Sequence, residues 1–503
     1  MLEYTNNYES IVINEPYEKM NYTPNDSDST DIEENSFSLQ QICISENNNE
    51  IFCEEEKDEL KQIELNNFIL LEQNQITQNP TYNSDLSNCA YTIGSHYYSQ
   101  QNYTLMKKYF QMASNLGNIK AMDNLGIYYT NIEKDYFLMK KYFLQAIEHG
   151  NTNSMLNIGF YYANIEKDYL QMRKYFLMAI EQGNSNGMNN LAIYYQTVEK
   201  DYGQMEKYYL MAINQSNVKA ICNLGTYHHE ITQDYEQMKK YYLMAIDLYY
   251  SPAMFNLGLY YECVEKNYSQ MKTFYLMAIN QGNVHAMCNL GSYYYKIEKN
   301  YESAKKYLNM AVAAKNPNAM VNLALYYKNQ EQEYDRMKIY LLLAIDLGSV
   351  IAMHNLAYYY QEVEKNYEQM KKYYLLAIEL NCSNSMLNIG VYYQQVEKNY
   401  TLMKKYYLLA IDSVNQNAMY NLALYYYKQE KDYLLMKKYF LMAIEQGNPN
   451  AMYKLGKYYW KEKNDLARAR ASMVKYFTMA IQKNHKKSMA YLGLYYIGKS
   501  IFG

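Results

Sequence analysis

Residues Asn118–Gly150 read N-I-K-A-M-D-N-L-G-I-Y-Y-T-N-I-E-K-D-Y-F-L-M-K-K-Y-F-L-Q-A-I-E-H-G. The same wording returns 33 residues later and keeps returning. Its Asn-(Leu/Ile)-(Gly/Ala) triplet begins at Asn124 and recurs at Asn157, Asn190, Asn223, Asn256, Asn289, Asn322, Asn355, Asn388 and Asn421. A looser copy precedes these at Ile93-Gly94, and two follow at Leu455-Gly456 and Leu492-Gly493. A fixed period of this size belongs to stacked supersecondary units, none of which buries its apolar face alone.

Within the unit, Ala121, Met122, Leu125, Gly126 and Tyr129 recur at spacings of three and four and share one helical face. Met139, Tyr142, Phe143, Ala146 and Ile147 form a second such stripe. Positions 121 and 126 are always small, so two helix backbones can approach there. Asn118 and its equivalents Asn151, Asn184 and Asn217 stand where the first helix needs an N-cap, and Asp135 or Asn267 where the second does. Pro317 and Pro449 directly follow such an Asn, at the first helical position, which tolerates proline. Gly150, Gly183 and Gly282 fall at the C-terminal cap. Each unit therefore reads as helix A, a short loop, helix B and a tight turn. The pattern predicts an all-α protein, an α/α solenoid of about twelve 33-residue helix-turn-helix repeats. Thirteen A helices and twelve B helices are expected, the last A helix having no B helix after it. Sixty-six Tyr against one Trp suit such a stack, since Tyr supplies area and leaves a hydroxyl to find a partner.

Ala121, Leu125, Gly126 and Tyr129, followed by Met139, Tyr142, Phe143, Ala146 and Gly150, resemble the Sel-one-like repeat, a branch of the tetratricopeptide superfamily. The likeness spans residues 81–503, except that the glycine-rich loop between the two helices of that family is missing here. It implies a right-handed superhelix with a concave groove lined by the A helices, and an interaction role. The Tyr-, Asn-, Lys- and Met-rich wording is also similar to repeat arrays encoded by giant viruses of amoebae.

Residues 1–80 carry 18 acidic and 3 basic side chains, a net of −15, against +11 for the remainder. Residues 1–53 are expected to be acidic and disordered, because they hold too little apolar surface to fold alone. Residues 54–80 are expected to form a capping helix and linker, with Leu60, Ile63, Phe68 and Leu71 on one face, the alternative being a short interaction motif for another protein. The opening Met1-Leu2-Glu3-Tyr4 lacks the basic start and apolar run of a signal peptide. No apolar stretch is long enough to span a membrane. Seven cysteines without a C-x-x-C pair give no disulfide or zinc pattern. A cytoplasmic location is expected, that of the host if the chain is viral.

Positions equivalent to 123, 127 and 130 vary freely from unit to unit, and the resemblance places them in the groove. They are Phe255, Leu259 and Glu262 in one unit and His354, Tyr358 and Gln361 in another. Tyr420, Leu424 and Tyr427, then Tyr453, Lys457 and Trp460, fill them near the end. Phe255, Tyr358, Tyr420, Tyr427, Tyr453, Lys457 and Trp460 are therefore the partner-binding candidates, since aromatic anchors dominate interface energetics. The competing reading is that these aromatics fill the inside of the stack or pack under the final helix. The Asn124 ladder reads as structural, bonding a neighbouring helix. The Lys pairs of helix B, such as Lys140-Lys141, read as a solvated face that could also attract the acidic front end.

No phosphate loop, dinucleotide loop or zinc-protease motif occurs, and the histidines are scattered. No cofactor, metal or catalytic residue is expected. The chain reads as a non-enzymatic scaffold that binds a peptide or protein. A substrate adaptor for a ubiquitin ligase or degradation complex is a second reading. RNA binding is a third and weaker one, because the variable stripe carries few Lys or Arg.

Overall fold

The computed structural model describes residues 80–461 and 466–502. Twenty-five helices occur among the described residues, with no strand. They alternate as thirteen A helices and twelve B helices, an all-α array of stacked hairpins. Two compact units divide them, one ending at Asn283 and the other beginning at Val284. In the first, A helices such as Ile119–Tyr128 and Thr152–Tyr161 alternate with B helices such as Tyr136–Glu148 and Tyr169–Glu181. The second runs from Val284–Tyr293 to Pro449–Lys461, Leu466–Gln482 and the final A helix Lys486–Phe502. The front segments 1–53 and 54–79, with their expected disorder and capping helix, lie outside the described residues.

Each hairpin closes on the predicted stripes. Ala121, Leu125, Met139 and Ala146 are fully buried, and Phe143 nearly so. Small residues at position 126 make room for the B-helix ring. A Cβ on Gly390 would lie 2.7 Å from the Tyr407 ring, so even Ala there would force that ring to shift. Burying one such side chain contributes about 1.5–3 kcal/mol, and the array gains this at every layer.

Asparagine at the A-helix cap has a reason beyond capping. Asn184 Oδ1 accepts from the Gly187 N–H at 3.0 Å, while its Nδ2 donates to Thr152 Oγ1 of the preceding repeat at 2.8 Å. Asn217 and Asn415 do the same toward Ser185 and Ser383. Asp could accept in this way but could not donate.

The connection from A to B is tighter than the short loop expected. Helix A ends in a widened π-type turn, Tyr162–Glu166, and Lys167 follows in the left-handed conformation at φ 55°. The N–H groups of Lys167 and Asp168 both point at the Tyr162 carbonyl. Asp168 then caps helix B by accepting from the Leu170 and Gln171 N–H groups. A left-handed non-glycine residue costs about 1–2 kcal/mol. The chain nevertheless repeats it at Lys134, Lys200, Lys299, Lys365, Lys398 and Lys431.

Candidate functional site

The variable A-helix positions resolve into rows with different surroundings. The row of Asp123 lies at the joint between successive A helices. Asp123 accepts from Ser154 Oγ at 2.6 Å and from Asn157 Nδ2 at 3.4 Å. Burial raises its carboxyl pKa, and these hydrogen bonds offset part of the rise. Asn223 donates to Asn189 Oδ1, and Asn256 and Asn322 contact the Cys222 and Cys288 sulfurs. At these positions the Asn124 ladder links successive A helices, while Asn388 donates to the Tyr374 hydroxyl of the preceding B helix. His354 Nδ1 sits 2.9 Å from Ser385 Oγ, and burial pushes its pKa down to about 4.

The row of position 130 answers the B helix of its own repeat. Tyr209, Tyr275, Tyr374 and Tyr407 donate their hydroxyls to Gln196, Glu262, Gln361 and Gln394, each thirteen residues earlier. Where the B helix instead carries Phe143, Phe176, Phe440 or Phe477, the equivalent residues are Thr130, Ala163, Tyr427 and Trp460. A buried phenol needs an acceptor and a phenyl ring does not. Part of the variation along this row is therefore internal pairing.

The seven candidates divide accordingly. Phe255, Tyr420 and Tyr453 are buried, with rings against Tyr275, Phe440 and Phe477 of their own B helices. Tyr453 also meets His485 and Tyr491 at the last A helix. Tyr358, Tyr427 and Lys457 are half-buried, and Trp460 is 40% exposed. Trp460 stands edge-on to Tyr491 and Tyr495, and Lys457 Nζ lies 5.5 Å from the Tyr491 ring centre. Lys328 Nζ sits 5.6 Å from the Tyr358 ring centre, joining one repeat to the next. Asn329 donates to the Tyr295 hydroxyl in the same manner. Accessible members of the stripe therefore come from the rows of positions 127, 130 and 131, although Thr130, Phe160, Glu262, Gln394 and Leu424 in those rows are buried.

Those rows differ in sign between the two units. Up to Cys263 their charged members are Glu230 and the buried Glu262, with no Lys or Arg. From Val284 onward they hold Lys296, Lys328, Lys428, Lys457 and Lys461 against Glu362 alone. Tyr295, Tyr358, Tyr427 and Trp460 lie among these lysines. Burial lowers the Lys328 pKa.

The B-helix lysines are not uniformly solvated. The first of each pair reaches the next repeat, as in Lys140 Nζ to Glu166 Oε1 at 2.6 Å, where Glu166 also accepts from the Tyr161 hydroxyl at 2.7 Å. The ammonium lies 4.8 Å from the Tyr161 ring centre. Lys239–Glu265, Lys305–Glu331 and Lys338–Glu364 repeat this clasp. Hydrogen bonding to the lysine lowers the Glu166 pKa. The second lysine of each pair, such as Lys141 or Lys174, is exposed. Among the described residues no group of three His, Cys, Asp or Glu side chains could hold a metal ion, and no helix is long and apolar enough to cross a membrane.

No family model matches the chain, and no curated protein matches it. Solved structures show a distant but consistent resemblance to Sel1-type (SLR) repeat folds. A protective antigen of uropathogenic Escherichia coli displaying an SLR fold is 21% identical, with 76% of this chain and 90% of that one covered at a TM-score of 0.40. A Sel1 repeat protein from Oxalobacter formigenes is 17% identical, with 57% and 90% covered at a TM-score of 0.41.

Proposed function

We propose that the chain is a non-enzymatic interaction scaffold, and that the A-helix face of its second unit takes an acidic segment of a partner protein. The observation that carries this reading is the change of sign along the accessible rows. Lys328, Lys461 and their neighbours bring positive charge next to Tyr358, Tyr427 and Trp460. Cationic groups beside amphipathic rings favour carboxylate-bearing chains, with the rings supplying apolar contact. An RNA reader is less well supported. The amides that could meet base edges, Gln361 and Gln394, already accept from the Tyr374 and Tyr407 hydroxyls.

Affinity capture with the full chain, followed by mass spectrometry and cross-linking, tests the proposal. A second bait carries Lys328→Glu, Lys461→Glu and Trp460→Ala, with helicity checked by circular dichroism. All three side chains are at least partly accessible, whereas replacing Tyr420 or Tyr453 would open the core. The expected result is a discrete protein cross-linked through an acidic stretch to the second unit and lost from the variant. Retention of the same protein by both baits would overturn the assignment of the face.

A further inference from the structure

The B helices bury one side and leave the other open. In Tyr367–Glu379, Met370, Tyr374 and Ala377 are fully buried, while Lys372, Leu375 and Glu379 are exposed. The exposed three stand at i, i+3 and i+7, so they form one stripe along the helix. Tyr400–Asp412 repeats the stripe as Lys405, Leu408 and Asp412, and Tyr433–Glu445 as Lys438, Leu441 and Glu445. The three leucines are 40%, 42% and 41% exposed. The clasps Lys371–Glu397 and Lys404–Glu430 tie each of the first two helices to the turn that leads into the next. Neighbouring stripes therefore make three rows across the second unit: lysines on one side, leucines in the middle and carboxylates on the other.

A single exposed leucine would mean little. Here the order is unbroken over three helices, and the sequence marks its ends. Thr478 stands in the leucine row on one side. On the other, Leu342 continues that row, but Ile339 replaces the lysine, and one repeat earlier Asn309 and Ala313 replace the leucine and the acid. In the first unit Thr273 interrupts the lysine row, and Asn214 and Asn280 interrupt the acid row.

The order of the rows says what covers them. Two copies laid face to face with their B helices parallel would set lysine on lysine and acid on acid. With the helices antiparallel, each lysine row meets the partner's acid row, and leucine meets leucine. Read backwards, the stripe is its own complement, as an isologous contact requires.

We infer that the outer face of the B helices from Tyr367 to Glu445 pairs with the same face of a second copy of this chain, helices antiparallel about a two-fold axis along the leucine row. Leu375, Leu408 and Leu441 supply the apolar contact. Lys372 faces Glu379 of the partner subunit, and Lys405 faces Asp412 of the partner subunit. These exposed charges fix orientation and exclude the parallel arrangement more than they add affinity. An isologous contact closes at two, and this one leaves the A-helix face uninvolved.

Sedimentation velocity on the full chain, across a wide concentration range and at two salt concentrations, tests this. The expected result is a monomer–dimer equilibrium with nothing larger, weakened by salt. Leu375→Glu/Leu408→Glu should raise the dissociation constant at least tenfold. Lys372→Glu/Lys405→Glu and Glu379→Lys/Asp412→Lys should each weaken the dimer, because like charges then meet. An equimolar mixture of these two variants should restore it, and so should one chain carrying all four changes, whose stripe is again its own complement. All these side chains are exposed, and circular dichroism checks that each variant stays helical. The proposal is overturned if the unaltered chain stays monomeric or assembles beyond two. It is equally overturned if the leucine variant dimerises like the unaltered chain, or if neither the mixture nor the fourfold variant recovers the dimer.

Discussion

The repeats before Asn283 and those from Val284 to Lys461 share one frame and differ in face. In both, buried Ala, Met and Tyr build the hairpin, Asn caps helix A, and Lys–Glu clasps join neighbours. On the accessible rows, the first set offers Gln196, Thr197, His229 and Glu230, while the second offers Lys328, Tyr358, Trp460 and Lys461. Frame and face are thus separable, because each row contacts different atoms. Mutations in the frame should act alike in both units, and mutations in the face should not.

The largest effect is expected in the frame. Phe143→Ala and Phe440→Ala each remove a buried ring and should cost about 3–5 kcal/mol in chemical denaturation, by similar amounts in the two units. A strong asymmetry would break the idea of a shared frame.

Acid should separate the repeat around His354 from the repeat around Asp123. His354 in the second unit is buried with its pKa lowered to about 4, so its neutral form is the folded one. Stability is fully present above the ordinary histidine range and is lost as pH falls toward 4, by up to about 3 kcal/mol. Asp123 in the first unit has a raised pKa, so its contribution is present at low pH and declines as pH rises through the shifted value. Hydrogen exchange at neutral and mildly acidic pH, corrected for intrinsic rates, should show loosening around residues 350–392 and none around 119–161.

Pairing at position 130 sets the next scale. Gln394→Ala leaves the buried Tyr407 hydroxyl without its acceptor and should cost about 1–3 kcal/mol. Adding Tyr407→Phe should recover most of that loss, and a double-mutant cycle without coupling would refute the pairing. The clasps come last. Glu166→Gln should cost no more than about 1 kcal/mol, because the ion pair is partly exposed. The lowered Glu166 pKa makes that contribution present above the ordinary carboxylate range and lost as pH falls through its folded value.

Much of the frame was legible because its signals are local. Residues three and four apart define a face, and an Asn before a helix or a Gly after one marks its ends. The clasp was harder to read, since Lys140 and Glu166 are 26 residues apart and belong to different repeats. The constancy of both along the array was the available sign. The face was misjudged in part for a related reason. Free variation at position 123 looked like surface, yet Asp123, Asn189 and His354 each bond the following repeat, so the variation is paired inside the stack. Comparing position 130 with the B-helix ring of its own repeat would have revealed the Gln–Tyr pairing. The π-type turn before Lys167 left no local sign, because lysine is not a residue that marks a left-handed position.

The most direct test of the central claim is a fluorescence-anisotropy titration of the full chain with a labelled Glu/Asp-rich peptide at low and physiological salt. Wild type is compared with Lys328→Glu/Lys461→Glu and with Gln196→Glu/Thr197→Glu in the first unit. The account predicts salt-sensitive binding that falls at least tenfold on reversal in the second unit and is unchanged by the substitutions in the first. Equal binding by all three proteins, or equal loss from both variants, would contradict it.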